Sequence, residues 1–98
     1  LRCHFHNTRN TGYANALAAA SAGVDALDTA IGGYGGSPFA PDAGGNIATE
    51  DLAWMLGRLG VDHGLSLPAL TETAAWLEPH LGSPMQGMLG KACVFPPS

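Results

Sequence analysis

A chain of 98 residues leaves room for one domain at most. Four basic residues against eight acidic ones give a formal charge of −4, which excludes the basic footprint of a nucleic-acid binder. No uninterrupted apolar run reaches the length of a membrane span, and the polar, His-containing start does not read as a secretory signal.

The two cysteines, Cys3 and Cys93, make no disulfide framework. A reducing, cytoplasmic, bacterial-like setting is the expectation, with a mitochondrial one left open. The chain opens at Leu1 directly in a predicted strand, and only 12% of its residues are charged. It reads as a segment of a longer protein whose other parts cover its faces.

The opening run Leu1-Arg2-Cys3-His4-Phe5-His6-Asn7-Thr8 is the first predicted strand. Residues i and i+2 of a strand face the same way, so His4 and His6 share one face while Leu1, Cys3 and Phe5 fill the other. Two imidazoles side by side can hold one metal ion, though the pair alone more often describes two ordinary polar histidines. A loop from Asn7 to Gly12 leads to an Ala-rich helix over about Thr11–Ala22, with Thr11 as N-cap and Gly23 as the stop. Val24–Ile31 follows, nearly continuous in apolar character apart from Asp25 and Asp28, as suits a buried parallel strand. The two aspartates read as mid-strand polar positions. Strand, helix and strand make a βαβ unit.

The next segment, 32–46, contains six glycines with Tyr34, Phe39 and two prolines. A flexible linker rarely carries such aromatic and proline content, and long loops in α/β domains are usually functional. A helix begins near Ala48–Thr49, with Glu50 and Asp51 in the first turn complementing the helix dipole. Leu52, Leu56 and Leu59 form its stripe, and Gly60 ends it. Ser66 caps a last helix with Pro68 in its first turn, whose apolar face is Leu67, Leu70, Ala74, Leu77 and Leu81. His63 and His80 read as surface residues. The tail from Gly82 to Ser98 carries no long predicted element.

Two consecutive parallel strands with unusual residues at their ends suggest α/β, part of a (β/α)8 TIM barrel. In that architecture the active site lies at the C-terminal ends of the strands. His4 and His6 end the first strand, and the glycine loop leaves the end of the second.

Three runs carry a family resemblance: His4-Phe5-His6-Asn7-Thr8, Gly32-Gly33-Tyr34-Gly35-Gly36-Ser37-Pro38-Phe39-Ala40, and Gly45-Asn46-Ile47-Ala48-Thr49-Glu50-Asp51-Leu52. Together they resemble the C-terminal part of 3-hydroxy-3-methylglutaryl-CoA lyase, one of the metal-dependent TIM-barrel lyases and synthases that also include isopropylmalate synthase. The His-x-His-Asn portion is shared widely, whereas the glycine loop and the Gly-Asn-x-Ala-Thr-Glu-Asp run point to the lyase branch. The resemblance covers about Leu1–Leu81. It implies the last two strand–helix units of a barrel over residues 1–60, with an additional C-terminal helix and tail over 61–98.

The resemblance also implies a set of roles. His4, His6 and Asn46 match family ligands for a divalent cation, Mg²⁺ or Mn²⁺, a set that suits a hard or borderline ion. The family's carboxylate ligand comes from the first barrel strand, next to an arginine, and this chain contains neither. Arg9 is placed to meet a carboxylate or a CoA phosphate, and Gly35 and Gly36 to admit substrate close to the backbone. Ser37 stands where the family usually has a cysteine that transfers protons. A thiol has a pKa of about 8.5, whereas a hydroxyl needs a neighbouring base. Asn10 stands where relatives often have glycine.

The implied reaction is cleavage of 3-hydroxy-3-methylglutaryl-CoA to acetyl-CoA and acetoacetate by a retro-Claisen step. The implied partners are an acyl-CoA substrate and the rest of the barrel, in a parent for which a homo-oligomer is one option, with neither nucleic acid nor membrane. One rival is a related lyase or aldolase acting on another acyl-CoA or a 2-oxo acid. Another is a non-catalytic truncated domain.

Overall fold

A computed structural model describes residues 1–35 and 45–92. Its elements in chain order are β1 (Arg2–His4), α1 (Gly12–Ser21), β2 (Ala26–Asp28), a 3₁₀ turn (Ile31–Gly33), α2 (Thr49–Arg58), α3 (Leu67–Leu81) and the short α4 (Leu89–Ala92). β1 and β2 pair in parallel, with Arg2 opposite Ala26, Cys3 opposite Leu27 and His4 opposite Asp28. This is the βαβ arrangement read from the sequence.

Both strands are shorter than their apolar patterns suggest, because each changes partner at its C-terminal end. After His4 the chain leaves β2 and meets the segment that follows the glycine loop. His6 bridges Asn46 in antiparallel sense, Asn7 N–H donates to Gly45 O at 3.0 Å, and Ile47 N–H donates to Phe5 O at 3.4 Å. β2 stops at Asp28, and Ala30 bridges Ala48 in parallel sense. Gly32 (φ +76°) and Gly33 (φ +73°) then turn the backbone out of the extended region into the 3₁₀ turn. Asp25 therefore precedes β2 and Asp28 closes it, so neither is mid-strand.

Helix α1 begins where expected, but Thr11 makes no side-chain cap. Asn7 takes that role, its Oδ1 accepting Gly12 N–H at 3.1 Å. Asn10 has φ +60°, the left-handed conformation that asparagine tolerates better than most side chains, so the turn is made without a glycine. In α3 the Ser66 hydroxyl accepts Ala69 N–H at 3.3 Å, and Gly82 closes the helix at φ +71°.

The core is two small apolar clusters. Ala16, Ile47 and Leu52 are buried together, flanked by Phe5, Tyr13, Leu27, Met55 and Leu56. Ala53, Leu67 and Leu89 form the second, beside Trp54 and Leu70. Ile47 is fully buried, a contribution of about 1.5–3 kcal/mol by transfer. The helical stripes are only partly used, since Leu59 and Leu81 remain more than half exposed. Their expected partners are not among the described elements.

The stretch after α3 folds back over the 3₁₀ turn. Gln86 and Gly87 both donate their N–H to Gly32 O, at 2.8 and 2.9 Å. Asp51 caps α4, accepting Met88 N–H at 2.8 Å and Leu89 N–H at 2.7 Å. Among the described residues no helix is long and apolar enough to cross a membrane.

Candidate metal and substrate site

His4 ends β1, and His6 sits two residues on in the bridge to Asn46. Their Nε2 atoms are 3.1 Å apart and the ring planes are tilted by 59°. The face alternation read from the sequence thus brings two ring nitrogens to one point, although His6 lies outside the named strand. Behind His4 stands Asp28, whose Oδ2 is 3.5 Å from His4 Nδ1.

Asn46 is held by its own amide. Nδ2 donates to Tyr34 O at 3.0 Å, while Oδ1 is buried and has no hydrogen-bond partner among the described residues. A buried amide oxygen left unpaired costs roughly 1–3 kcal/mol unless something else binds it. Gly35 makes the arrangement possible. Its φ is +94°, and a Cβ there would lie 2.6 Å from Asn46 Nδ2.

Two converging imidazole nitrogens and one orphaned amide oxygen fit a divalent cation by donor chemistry. Among the described residues no three His, Cys, Asp or Glu side chains gather to hold an ion. The three candidate donors, His4, His6 and Asn46, are themselves neutral, whereas a hard cation favours anionic oxygen ligands.

Beneath the site lies a polar layer that the sequence pattern did not single out. Glu50 is fully buried, and Gly32 N–H is shared between its two oxygens at 2.9 and 3.1 Å. Burial raises its pKa above the usual carboxylate value, the Gly32 and Glu50 N–H groups partly offset this, and Asp51 adds to it. The only sequence signal for this role was the Ala-Thr-Glu-Asp run itself, because acidic residues in a first helical turn ordinarily read as dipole partners. Tyr13 was likewise missed. Its hydroxyl accepts Ala48 N–H at 2.8 Å and donates to Asp51 Oδ2 at 3.3 Å. Beside them Thr29 and Thr49 share a hydroxyl–hydroxyl bond of 2.6 Å.

The remaining candidates are distributed as follows. Arg9 is exposed in the turn after β1. Gly36, Ser37 and Cys93 lie outside the described residues. Cys3 is half-buried and free, on the alternate position to His4. His63 is half-buried rather than on the surface, its Nδ1 accepting Leu65 N–H at 3.0 Å, because the loop after α2 folds it toward Gly57. His80 is exposed and stacks on Trp76 with ring centroids 4.3 Å apart. An apolar cleft lined by Val24, Leu27, Leu52, Leu56, Val61 and Leu65 does not include His4, His6 or Asn46. Its chemistry suits packing against another element more than binding a polar acyl group.

Comparison with known proteins gives a consistent result. The family model described as HMGL-like matches residues 1–77. The (R)-citramalyl-CoA lyase of Chloroflexus aurantiacus is 54% identical over 91% of this chain and 28% of its own length. A hydroxymethylglutaryl-CoA lyase of Bacillus subtilis is 40% identical over 87% of this chain, again 28% of its own length. Among solved structures, an HMG-CoA lyase from Acinetobacter baumannii in complex with coenzyme A and 3-methylmalate superposes with a TM-score of 0.90 and 43% identity, over 100% of this chain and 32% of that one. The chain thus spans under a third of the relatives it matches. Its parallel strands and helices are the C-terminal part of a TIM barrel.

Proposed function

We propose, since this chain belongs to the HMGL-like family, that it forms one wall of the active site of an acyl-CoA carbon–carbon lyase dependent on a divalent cation. The observation that carries this reading is the meeting of His4 and His6 at 3.1 Å, with His6 paired to Asn46, at the C-terminal ends of two parallel strands. His4 Nε2, His6 Nε2 and Asn46 Oδ1 would hold Mg²⁺ or Mn²⁺, which when bound supplies a Lewis acid for the substrate's hydroxyl and carbonyl oxygens.

The protein's own groups do the rest. Gly35 and Gly36 are the residues we assign to admit the acyl chain, since neither carries a Cβ. Arg9 offers a charge to a substrate carboxylate or CoA phosphate. Ser37 is the residue we assign to pass a proton to the α-carbon of the acetyl-CoA enolate as the carbon–carbon bond breaks, the role the resemblance gives to this position.

The substrate we assign is 3-hydroxy-3-methylglutaryl-CoA, giving acetyl-CoA and acetoacetate. A second reading is favoured by the 54% identity to a citramalyl-CoA lyase. Citramalyl-CoA has the same 3-hydroxy-3-methyl centre and lacks one methylene before its terminal carboxylate, so the same bond cleavage yields acetyl-CoA and pyruvate. Ser37 in place of the cysteine the resemblance leads one to expect fits a site adapted to another acyl group.

The full-length protein that contains this chain tests both readings. Acetyl-CoA release is followed from each thioester with Mg²⁺ or Mn²⁺, after chelation, and in His4→Ala. Cleavage that needs the cation and is lost in His4→Ala supports the lyase reading, and the better thioester identifies the acyl group. Metal-independent turnover, or none with either thioester, overturns it.

A further inference from the structure

Asp28 closes β2 and is the register partner of His4 across the parallel pair. Its two oxygens divide between residues of β1. Oδ1 is 3.3 Å from Arg2 Nη1, and Oδ2 is 3.5 Å from His4 Nδ1. The other ring nitrogen of His4, Nε2, is 3.1 Å from His6 Nε2. Asp28 and His6 therefore address opposite flanks of one imidazole.

A neutral imidazole carries its proton on one nitrogen and its lone pair on the other. A carboxylate beside Nδ1 attracts the proton there and leaves the lone pair on Nε2. That is the nitrogen facing His6. Metal-binding histidines are commonly oriented in this way by a carboxylate behind the ring, which also raises the basicity of the ligating nitrogen. Asp28 cannot ligate from the Nε2 side, because the ring itself stands between. Arg2 faces the second carboxylate oxygen.

We propose that Asp28 is a positioning residue of the cation site, which fixes His4 with its proton on Nδ1 and its lone pair on Nε2. This rests on reading His4 and His6 as ligands. The exposed ends of the ion pair, with Arg2 70% exposed, argue against a mainly stabilising role, since such pairs contribute little.

The test uses the full-length protein. Mn²⁺ is titrated calorimetrically into wild type, His4→Ala, Asp28→Ala, Asp28→Asn and Arg2→Met, and ¹⁵N spectra of labelled histidine report the tautomer of His4 without metal. Asp28→Ala should weaken Mn²⁺ binding by roughly 10–100-fold, Asp28→Asn should lose less, and Arg2→Met should stay close to wild type. The His4 signal should move from the Nδ1–H form in wild type toward Nε2–H in Asp28→Ala. Wild-type affinity in Asp28→Ala, with binding lost in His4→Ala, overturns this inference and leaves the ligand assignment standing. Equal losses in Asp28→Ala and Arg2→Met overturn it in favour of a strand-to-strand tie. Binding by wild type and His4→Ala alike, or by neither, overturns the ligand assignment and this inference together. Should Asp28→Ala not fold, Asp28→Asn and its ¹⁵N signal decide.

Discussion

The hydroxyl of Tyr13 accepts the backbone N–H of Ala48 at 2.8 Å, and so one side chain of α1 holds the segment that carries Asn46. Ala48 is almost fully buried, and the same hydroxyl donates to Asp51, the cap of α4. Burial, together with the charges of Asp51 and Glu50, pushes the phenol up to about 12.

Tyr13→Phe leaves the Ala48 N–H without this acceptor, at a cost of about 1–3 kcal/mol. The thermal midpoint of the full-length protein should fall, and Mn²⁺ affinity should fall with it as Asn46 loosens. A tyrosine pKa raised on folding supports stability fully below the unfolded value near 10 and loses that support as pH rises toward 12. The variant should lack this alkaline loss. An unchanged midpoint would show that water replaces the hydroxyl.

Glu50 follows the same sign in a lower pH range, because it too is an acid whose neutral form burial favours. Its folded pKa lies above the ordinary glutamate value, so between the two values the folded protein binds a proton more readily than the unfolded chain. Stability from this group is fully present below the ordinary value and is lost as pH rises through the folded pKa. Glu50→Gln should flatten that decline, since its amide oxygen can still accept Gly32 N–H. Parallel melting curves for the two proteins from acid to neutral pH would reveal an error in this sign.

Gly35→Ala should be among the more damaging single changes at the site. It imposes a Cβ at φ +94° and drives it into the Asn46 amide. The backbone term alone is about 1–3 kcal/mol. Calorimetry should find weaker Mn²⁺ binding, whereas Gly23→Ala, also at positive φ but with nothing within 4 Å of the added Cβ, should affect stability alone.

The 98-residue chain by itself should hold Mg²⁺ or Mn²⁺ poorly, because its three proposed ligands are neutral. Restoring the upstream barrel should tighten binding. The same isolated chain should self-associate. Its two strands have unpaired edges, and Trp76, Met88, Leu59 and Leu81 are more than half exposed. Calorimetry and sedimentation on both proteins check these outcomes. Tight cation binding by a monomeric, cooperatively folding chain would mean that a ligand has been misplaced.

Ser37→Cys in the full-length protein should raise kcat for 3-hydroxy-3-methylglutaryl-CoA, by roughly 10²–10⁴-fold if the loop supplies a general acid or base. KM should change little, as the substitution is nearly isosteric. A wild type that already turns over well and gains nothing would place proton transfer elsewhere. Failure of both forms on this thioester, with activity on citramalyl-CoA, would favour the second reading.

The sequence by itself determined which residues share a face and where the helices lie. Strand periodicity put His4 and His6 together, the Ser66–Pro68 start and Gly82 stop framed α3, and apolar continuity marked β2 as a parallel strand. These are local signals, set by side-chain period and backbone preference within a few residues. Motif resemblance added Asn46 and the family, because its runs combine residue types that periodicity alone cannot interpret.

Only the tertiary structure decided the partners. That His6 leaves the sheet to pair with Asn46 and that both strands shorten follow from backbone pairing with the distant 45–48 segment, and that Asn7 rather than Thr11 caps α1 follows from how that pairing turns the chain after β1. Glu50 and Asp51 looked alike as first-turn acids. One is buried under Gly32 and the other caps α4, because helical rotation turns neighbours about 100° apart and the chain packs different backbone against each. Asp28 read as a mid-strand polar position until its register against His4 was fixed. Register is a property of two strands together, and no single stretch of sequence contains it.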